Sequence, residues 1–128
     1  MPYIAKNPES YKAQVVGEGR YKGQCAVFVQ TASGAPLTTS WKQGALVKGN
    51  NSIAKGTAIG CFGPDGKYTN RMDGSAHAAI YISQDKSGID VWDQWVGQPV
   101  HSRTLGFYGA DSKTVKPVNN GDCFYVIE

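Results

Sequence analysis

Cys25 and His77 are the two residues of this chain whose types and surroundings suit nucleophilic chemistry. Cys25 follows a glycine-rich approach, Gly17, Gly19 and Gly23, and opens the apolar run Gln24 to Gln30, which stops at Ser33-Gly34. That length and entry predict a buried helix with Cys25 in its first turn. A thiol there lies in the field of backbone N–H groups that have no helical acceptor, which lowers its pKa and raises its thiolate fraction. A cysteine on an apolar helix also packs well as a small hydrophobe, so the case for chemistry depends on a partner. His77 begins the β-prone stretch Ala76 to Ile82, where a strand carries it from a Gly-Ser loop into the core beside alanines small enough to let a helix pack there. A helix-start thiol followed by a strand-start imidazole is the arrangement that a nucleophile and its base require.

An imidazole that works as a base needs a third group to orient it. If the segments 77–82 and 89–95 form a hairpin, a slip of one residue exchanges Asp93 for Gln94 on the face of His77. Asp93 shares its face with Ile89, Val91 and Trp95, whereas Gln94 shares the other with Asp90 and Trp92. The Ile-Val face is the more apolar and is expected inward, which favours Asp93, a carboxylate able to stabilise the imidazolium. For the oxyanion, the backbone N–H of Cys25 is the first candidate donor, with Tyr21 and Gln24 close before it. His101 reads as a surface or groove residue, and most of Trp92, Trp95, Tyr68, Tyr81 and Tyr108 as core, with one or two free to line a groove.

The elements that must hold these groups can be read from the same pattern. Asn7-Pro8-Glu9 has the capping residue, the preset proline and the acidic first turn of a helix start, predicting a short helix through Val16. Residues 37–52 read as a helical turn and a loop anchored by Trp41 and Leu46. From Thr57 the texture becomes short β-prone segments, 57–62, 77–82, 89–95 and 123–127, with a further strand around 100–105, separated by turn clusters such as Gly63-Pro64-Asp65-Gly66 and Asp85-Lys86-Ser87-Gly88. The expectation is an α+β fold in one domain, residues 1–128, with helices first and an antiparallel meander after them.

Bulk properties narrow the function classes. The chain of 128 residues, 41% hydrophobic, can build one modest core, and its 16 glycines and 6 prolines favour short strands and tight loops. A net charge of +3 from scattered basic residues suits approach to an anionic polymer but is too weak and diffuse for nucleic acid. No stretch has the length or apolarity of a membrane span, and the opening residues lack a signal-peptide core, so neither membrane insertion nor general export is expected. The 3 cysteines, at positions 25, 61 and 123, are too few for a disulfide scaffold, and no His or Cys pair has metal-ligand spacing. No metal or cofactor is therefore expected. Cys61 and Cys123 fall on the first and last strands of the predicted meander, where a disulfide between them is possible.

The ordered pieces Gly23-Gln24-Cys25, Lys55-Gly56-Thr57-Ala58-Ile59 and Ala76-His77-Ala78-Ala79-Ile80 resemble the papain-like CHAP and NlpC-type peptidoglycan amidases, from about Tyr21 to the last strand. With the compact length and Val91-Trp92-Asp93-Gln94-Trp95, the likeness is nearest to the type VI secretion amidase effectors. The resemblance implies a circularly permuted papain fold in which a cysteine helix packs on a small antiparallel sheet. It implies a cysteine hydrolase, with Cys25 attacking an amide of the wall peptide stem and His77 passing the proton. The D,D cross-link between diaminopimelate and D-Ala is the favoured bond, and that from γ-D-Glu to diaminopimelate the second. It further implies synthesis in the cytoplasm, delivery by the type VI machinery into a target periplasm, and a cognate immunity protein as inhibitor. The alternative from another class is a non-catalytic module that binds the cell wall or a protein.

Overall fold

The computed structural model describes residues 1–128. Its single sheet has six antiparallel strands: β1 (Gln43–Leu46), β2 (Ala58–Cys61), β3 (Ala78–Gln84), β4 (Gly88–Trp95), β5 (Gln98–Gly106) and β6 (Phe124–Ile127), in the order β1-β6-β2-β3-β4-β5. Strands β2 to β5 are the expected meander. The last strand returns between β1 and β2, so Cys61 and Cys123 become neighbours by insertion of β6 and not by the sheet curling round. Cys61 lies opposite Phe124, and the Cys61 and Cys123 sulfurs stand 3.0 Å apart as free thiols. The 3.0 Å separation is that of two unbridged thiols, about 1 Å longer than a disulfide bond.

One α-helix, α1 (Cys25–Ser33), packs on this sheet, in place of the expected pair of N-terminal helices. The helix start at Asn7-Pro8-Glu9 yields only a 3-10 turn over Pro8–Tyr11. The chain then turns through Ala13, whose φ is +68°, and Ala13 N–H and Gln14 C=O pair with Val100 C=O and N–H at 2.8 and 2.9 Å. Those backbone groups cannot serve both a helix and the edge of β5, and the tertiary partner wins. Helix α1 itself begins and ends as its sequence indicates, with Gln24 extended at its N-terminus and Gly34 left-handed at φ +78°, donating its N–H to Gln30 C=O at 2.9 Å. Its buried stripe, Ala26, Phe28 and Val29, meets Ala78, Ile80 and Val100. Phe28 is fully buried, so truncation to alanine is expected to cost about 3 to 5 kcal/mol and to free the helix from the sheet.

The opposite face of the sheet buries Ile59, Ala79, Tyr81, Ile89, Val91 and Phe124. Two buried faces explain why the start of β3, Ala78 to Tyr81, is apolar without alternation. In the hairpin of β3 and β4, Asp85 Oδ1 accepts the Ser87 N–H at 2.8 Å to make the turn, setting Gln84 opposite Ile89. A bulge between Tyr81 and Ser83 then shifts the pairing by one residue, so that Tyr81 faces Val91 and Ile80 faces Trp92. Counting outward from the turn without that bulge would put Gln94 on the face of His77. With it, Asp93 takes that face.

Candidate active site

Gly23, at φ +87°, bends the chain into α1, which leaves Cys25 at the end of the sheet where His77 precedes β3. The glycine entry and the small residues Ala76 and Ala78 together allow the helix N-terminus to approach the strand start. His77 is 2% exposed, and its Nε2 lies 2.7 Å from Asp93 Oδ2. With Nε2 committed to the carboxylate, Nδ1 is the ring nitrogen left for the thiol. Asp93 is completely buried and reaches His77 as a diagonal neighbour on one face of the β3–β4 hairpin.

The electrostatics of the pair favour a thiolate and an imidazolium. Burial pushes the Cys25 thiol up, but the hydrogen bond and charge of His77, then the Tyr68 hydroxyl and the Ala78 N–H, outweigh it and bring the thiol below its ordinary range. Burial alone would depress the His77 ring; the hydrogen bond it donates to Asp93 and the neighbouring thiolate raise it instead to about 9. Burial also opposes ionisation of Asp93, and His77 and Arg103 together hold its carboxyl below the usual carboxylate range. Asp93 therefore stays ionised from below the usual carboxylate range up to and beyond the pH at which His77 gives up its proton.

Tyr68 is a contributor that the sequence pattern does not reveal. Its hydroxyl stands 3.5 Å from Cys25 Sγ, and its ring packs on Trp41 with centroids 4.6 Å apart. Burial raises its pKa well above that of a free phenol, so it stays protonated and able to donate. It sits beyond the turn Gly63-Pro64-Asp65-Gly66, and only the folded loop brings it under the nucleophile. His101 also departs from expectation. It pairs across strands with Asp93 on β5, and its Nε2 lies 2.9 Å from Asp93 Oδ1, though without the alignment of a hydrogen bond.

The remaining candidates separate cleanly. Gln94 is fully buried and faces away from His77. It accepts the Val16 N–H at 2.9 Å and donates to Val16 C=O at 3.0 Å and Gln24 C=O at 2.8 Å, fastening the approach to α1. Tyr21, a candidate oxyanion donor, is instead 47% exposed, with its hydroxyl 2.6 Å from Arg20, and it does not line the Cys25 cleft. Gln24 does line it, with its amide directed to Met72 Sδ at 3.6 Å and no capping bond to the helix.

A cleft of about 340 Å³ opens over Cys25 and His77. Its sides are the loop carrying Arg71 and Met72, the aromatic face of Trp95, and the segment Val118-Asn119. That volume suits a stretch of peptide rather than a whole disaccharide-peptide repeat.

Comparison with known proteins bears on the family and the fold. The family profile described as "Domesticated amidase effector 2" matches residues 2–127. The chain is 31% identical over 138 aligned positions, covering the whole of both proteins, to "Type VI secretion amidase effector 2 protein" of Salmonella typhi. It is 40% identical over 112 residues, 84% of this chain and 72% of the relative, to "Domesticated amidase effector 2" of Ixodes scapularis. A solved structure titled "Type 6 secretion amidase effector 2 (Tae2)" superposes with a TM-score of 0.82 at 28% identity, over 98% of this chain and 94% of that one. The fold is α+β and papain-like, a cysteine-bearing helix on an antiparallel sheet, and the chain belongs to the Domesticated amidase effector 2 family.

Proposed function

We propose that this protein is a cysteine amidase that cuts an amide bond in the peptide stems of bacterial peptidoglycan, as a toxin delivered between bacteria by type VI secretion. The observation that carries this reading is the buried line Asp93, His77 and Cys25 ending at the floor of an open cleft. Cys25 thiolate attacks the stem carbonyl, forming a C–S bond. The negative oxygen then faces the N–H groups at the start of α1, with the Gln24 amide and Tyr68 hydroxyl as nearby donors. His77 gives its Nδ1 proton to the departing amine as the C–N bond breaks. Water adds to the thioester, His77 takes its proton, and the thiolate leaves. Asp93 keeps the ring oriented and its positive charge compensated.

The bond proposed is the D,D cross-link between diaminopimelate and D-Ala, on the kinship with amidase effectors; the bond from γ-D-Glu to diaminopimelate is the second choice. Digestion of purified diaminopimelate-type peptidoglycan, with fragments identified by mass, tells the two apart. Wall released unchanged would overturn the proposal and return a non-catalytic binding module, a function with no use for a buried carboxylate–imidazole–thiol line. Action in a target periplasm requires delivery and, in a producing population, a cognate immunity protein that plugs the cleft. Such an inhibitor would bury about 1,600 Å² in total and insert side chains over Cys25 and His77. Export by a fused signal peptide should lyse a diaminopimelate-walled host, cytosolic expression should not, and Cys25→Ala should abolish the lysis.

A further inference from the structure

Arg103 on β5 touches neither the thiol nor the open cleft floor, yet it joins the two parts on which the reaction depends. Its Nε donates to Asp93 Oδ2 at 2.9 Å, the same oxygen that His77 Nε2 approaches at 2.7 Å. Its Nη1 donates to Asn119 Oδ1 at 2.8 Å and its Nη2 to Val118 C=O at 2.5 Å. Both partners belong to the segment that lines the cleft. The guanidinium also lies over the Trp95 ring, 4.7 Å from its centroid, bracing a third side of the cleft.

The wall segment extends the connection. Val118 N–H donates to Gly74 C=O at 3.1 Å and Lys116 Nζ to Asp73 C=O at 3.2 Å, so the segment in turn holds the loop that carries Arg71 and Met72. On the other side of the carboxylate, His101 waits within 2.9 Å of Asp93 Oδ1 without an aligned bond. Asp93 thus has two histidines within reach. The fork of Arg103, planar and fixed in geometry, is what pins Oδ2 toward His77.

We infer that Arg103 is a positioning residue that sets the Asp93–His77 pair and the substrate-binding wall Val118-Asn119 as one unit, a role that rests on the amidase reading above. Lysine can keep a charge beside Asp93 but cannot also reach Val118 and Asn119. Arg103→Lys is therefore expected to retain kcat within about tenfold of the parent while KM rises, and Arg103→Gln to lose both, with kcat down by about 100-fold. Rates are normalised to the concentration of reactive Cys25, so that partial unfolding does not enter. A parallel measurement needs no substrate: the rate of Cys25 alkylation by iodoacetamide at pH 7. Loss of the Arg103 charge alone would favour the imidazolium and leave alkylation as fast or faster, whereas loss of positioning slows it in Arg103→Gln. Slower alkylation together with the KM-against-kcat split supports the role. Unchanged kcat, KM and alkylation per reactive thiol in both variants would overturn it, as would equal losses in Lys and Gln. If the parent releases no wall fragments, the amidase reading fails by itself, and the alkylation rates alone then decide for or against Arg103.

Discussion

The molecule holds two cysteine sites of opposite character within one small sheet. Cys25 and Cys61 are both enclosed by protein, and burial pushes both thiols up. At Cys25 an imidazole and a hydroxyl overturn that push. At Cys61 the neighbour is another thiol, whose hydrogen bond and charge raise it further. Cys61 and Cys123 also both lie 3.7 Å from Pro117 C=O, whose lone pairs would repel a thiolate. At Cys25 the lowering comes chiefly from a cation fixed beside the thiol, whereas in the second pair only Cys123 is lowered, chiefly by the hydrogen bond from Cys61, with no imidazole placed to take or give a proton.

The sharpest test of that contrast is removal of each thiol in turn. Cys25→Ala is expected to leave less than about one part in a thousand of wall hydrolysis. Cys61→Ala and Cys123→Ala should keep turnover per folded molecule and lose only packing. Activity in Cys25→Ala above that level, seen as released muropeptides by mass, would move the nucleophile elsewhere.

Next in size is the cation itself. The reaction needs Cys25 ionised and His77 protonated, so kcat/KM should rise with pH as the thiol ionises, below its ordinary range, and fall again as pH passes about 9, where His77 loses its proton. The same raised pKa makes the charged ring a source of stability below the unfolded value of about 6.5, lost as pH climbs through the folded one. Asp93→Asn keeps the shape of the side chain and removes the charge that supports the ring. Turnover should fall by about 10² to 10⁴ fold, and the alkaline limb should move down toward pH 6.5. An alkaline limb that stays near 9 would mean that Asp93 does not hold the imidazolium.

Gln94→Ala sharpens the comparison from the other face of the same strand. It strips three hydrogen bonds from Val16 and Gln24 and leaves the Val16 N–H unpaired, while the two carbonyls keep the N–H groups of Gly23 and Phe28. A stability loss of about 2 to 3 kcal/mol is expected in denaturant titration, with turnover per folded molecule far less affected than in Asp93→Asn. The reverse order would place the hairpin one residue out of register.

These positions show where sequence reasoning reaches and where it stops. The helix at Cys25 and the strands β2 to β6 have local signals, glycine stops and apolar runs, and those signals survive packing. Asp93 was legible through the apolar face of Ile89 and Val91 and not through counting from the turn, because the bulge after Tyr81 has no signature in the sequence. Strand β1, Gln43–Leu46, is mostly exposed and exists because β6 offers it a ladder, so no alternation marks it. Tyr68 reaches Cys25 only through a folded loop. Arg103 and His101 were hidden for the same reason as the count to Asp93: the two-residue turn Val96-Gly97 sets Trp95 opposite Gln98 and by simple counting would set Asp93 opposite Val100. Only a second register shift, between Asp93 and Trp95, brings His101 opposite Asp93 and Arg103 onto its face.

The effect expected to be smallest on turnover concerns the second thiol pair. We propose that Cys61 and Cys123 close a disulfide when the protein meets an oxidising compartment. Their sulfurs already stand 3.0 Å apart across paired strands, and little main-chain movement is needed. With oxidised glutathione as acceptor, the two thiols lose two electrons and two protons, and the glutathione disulfide becomes two thiols. The closed loop spans a sequence separation of 62, long enough for a gain of about 2 to 4 kcal/mol, or a rise in Tm of about 10 °C. Cys61→Ser should show no such rise under the same treatment, which separates the bridge from any effect of glutathione at Cys25. Mass spectrometry of the Cys25→Ala protein should find two hydrogens lost after oxidation and regained on reduction. An unchanged mass would show that the pair stays as two packed thiols, and a bridge that lowers Tm would show that the sheet must distort to close it. In either event Cys25 keeps its imidazole, so the contrast between an activated thiol and an unactivated one stands independently of whether the second site is bridged.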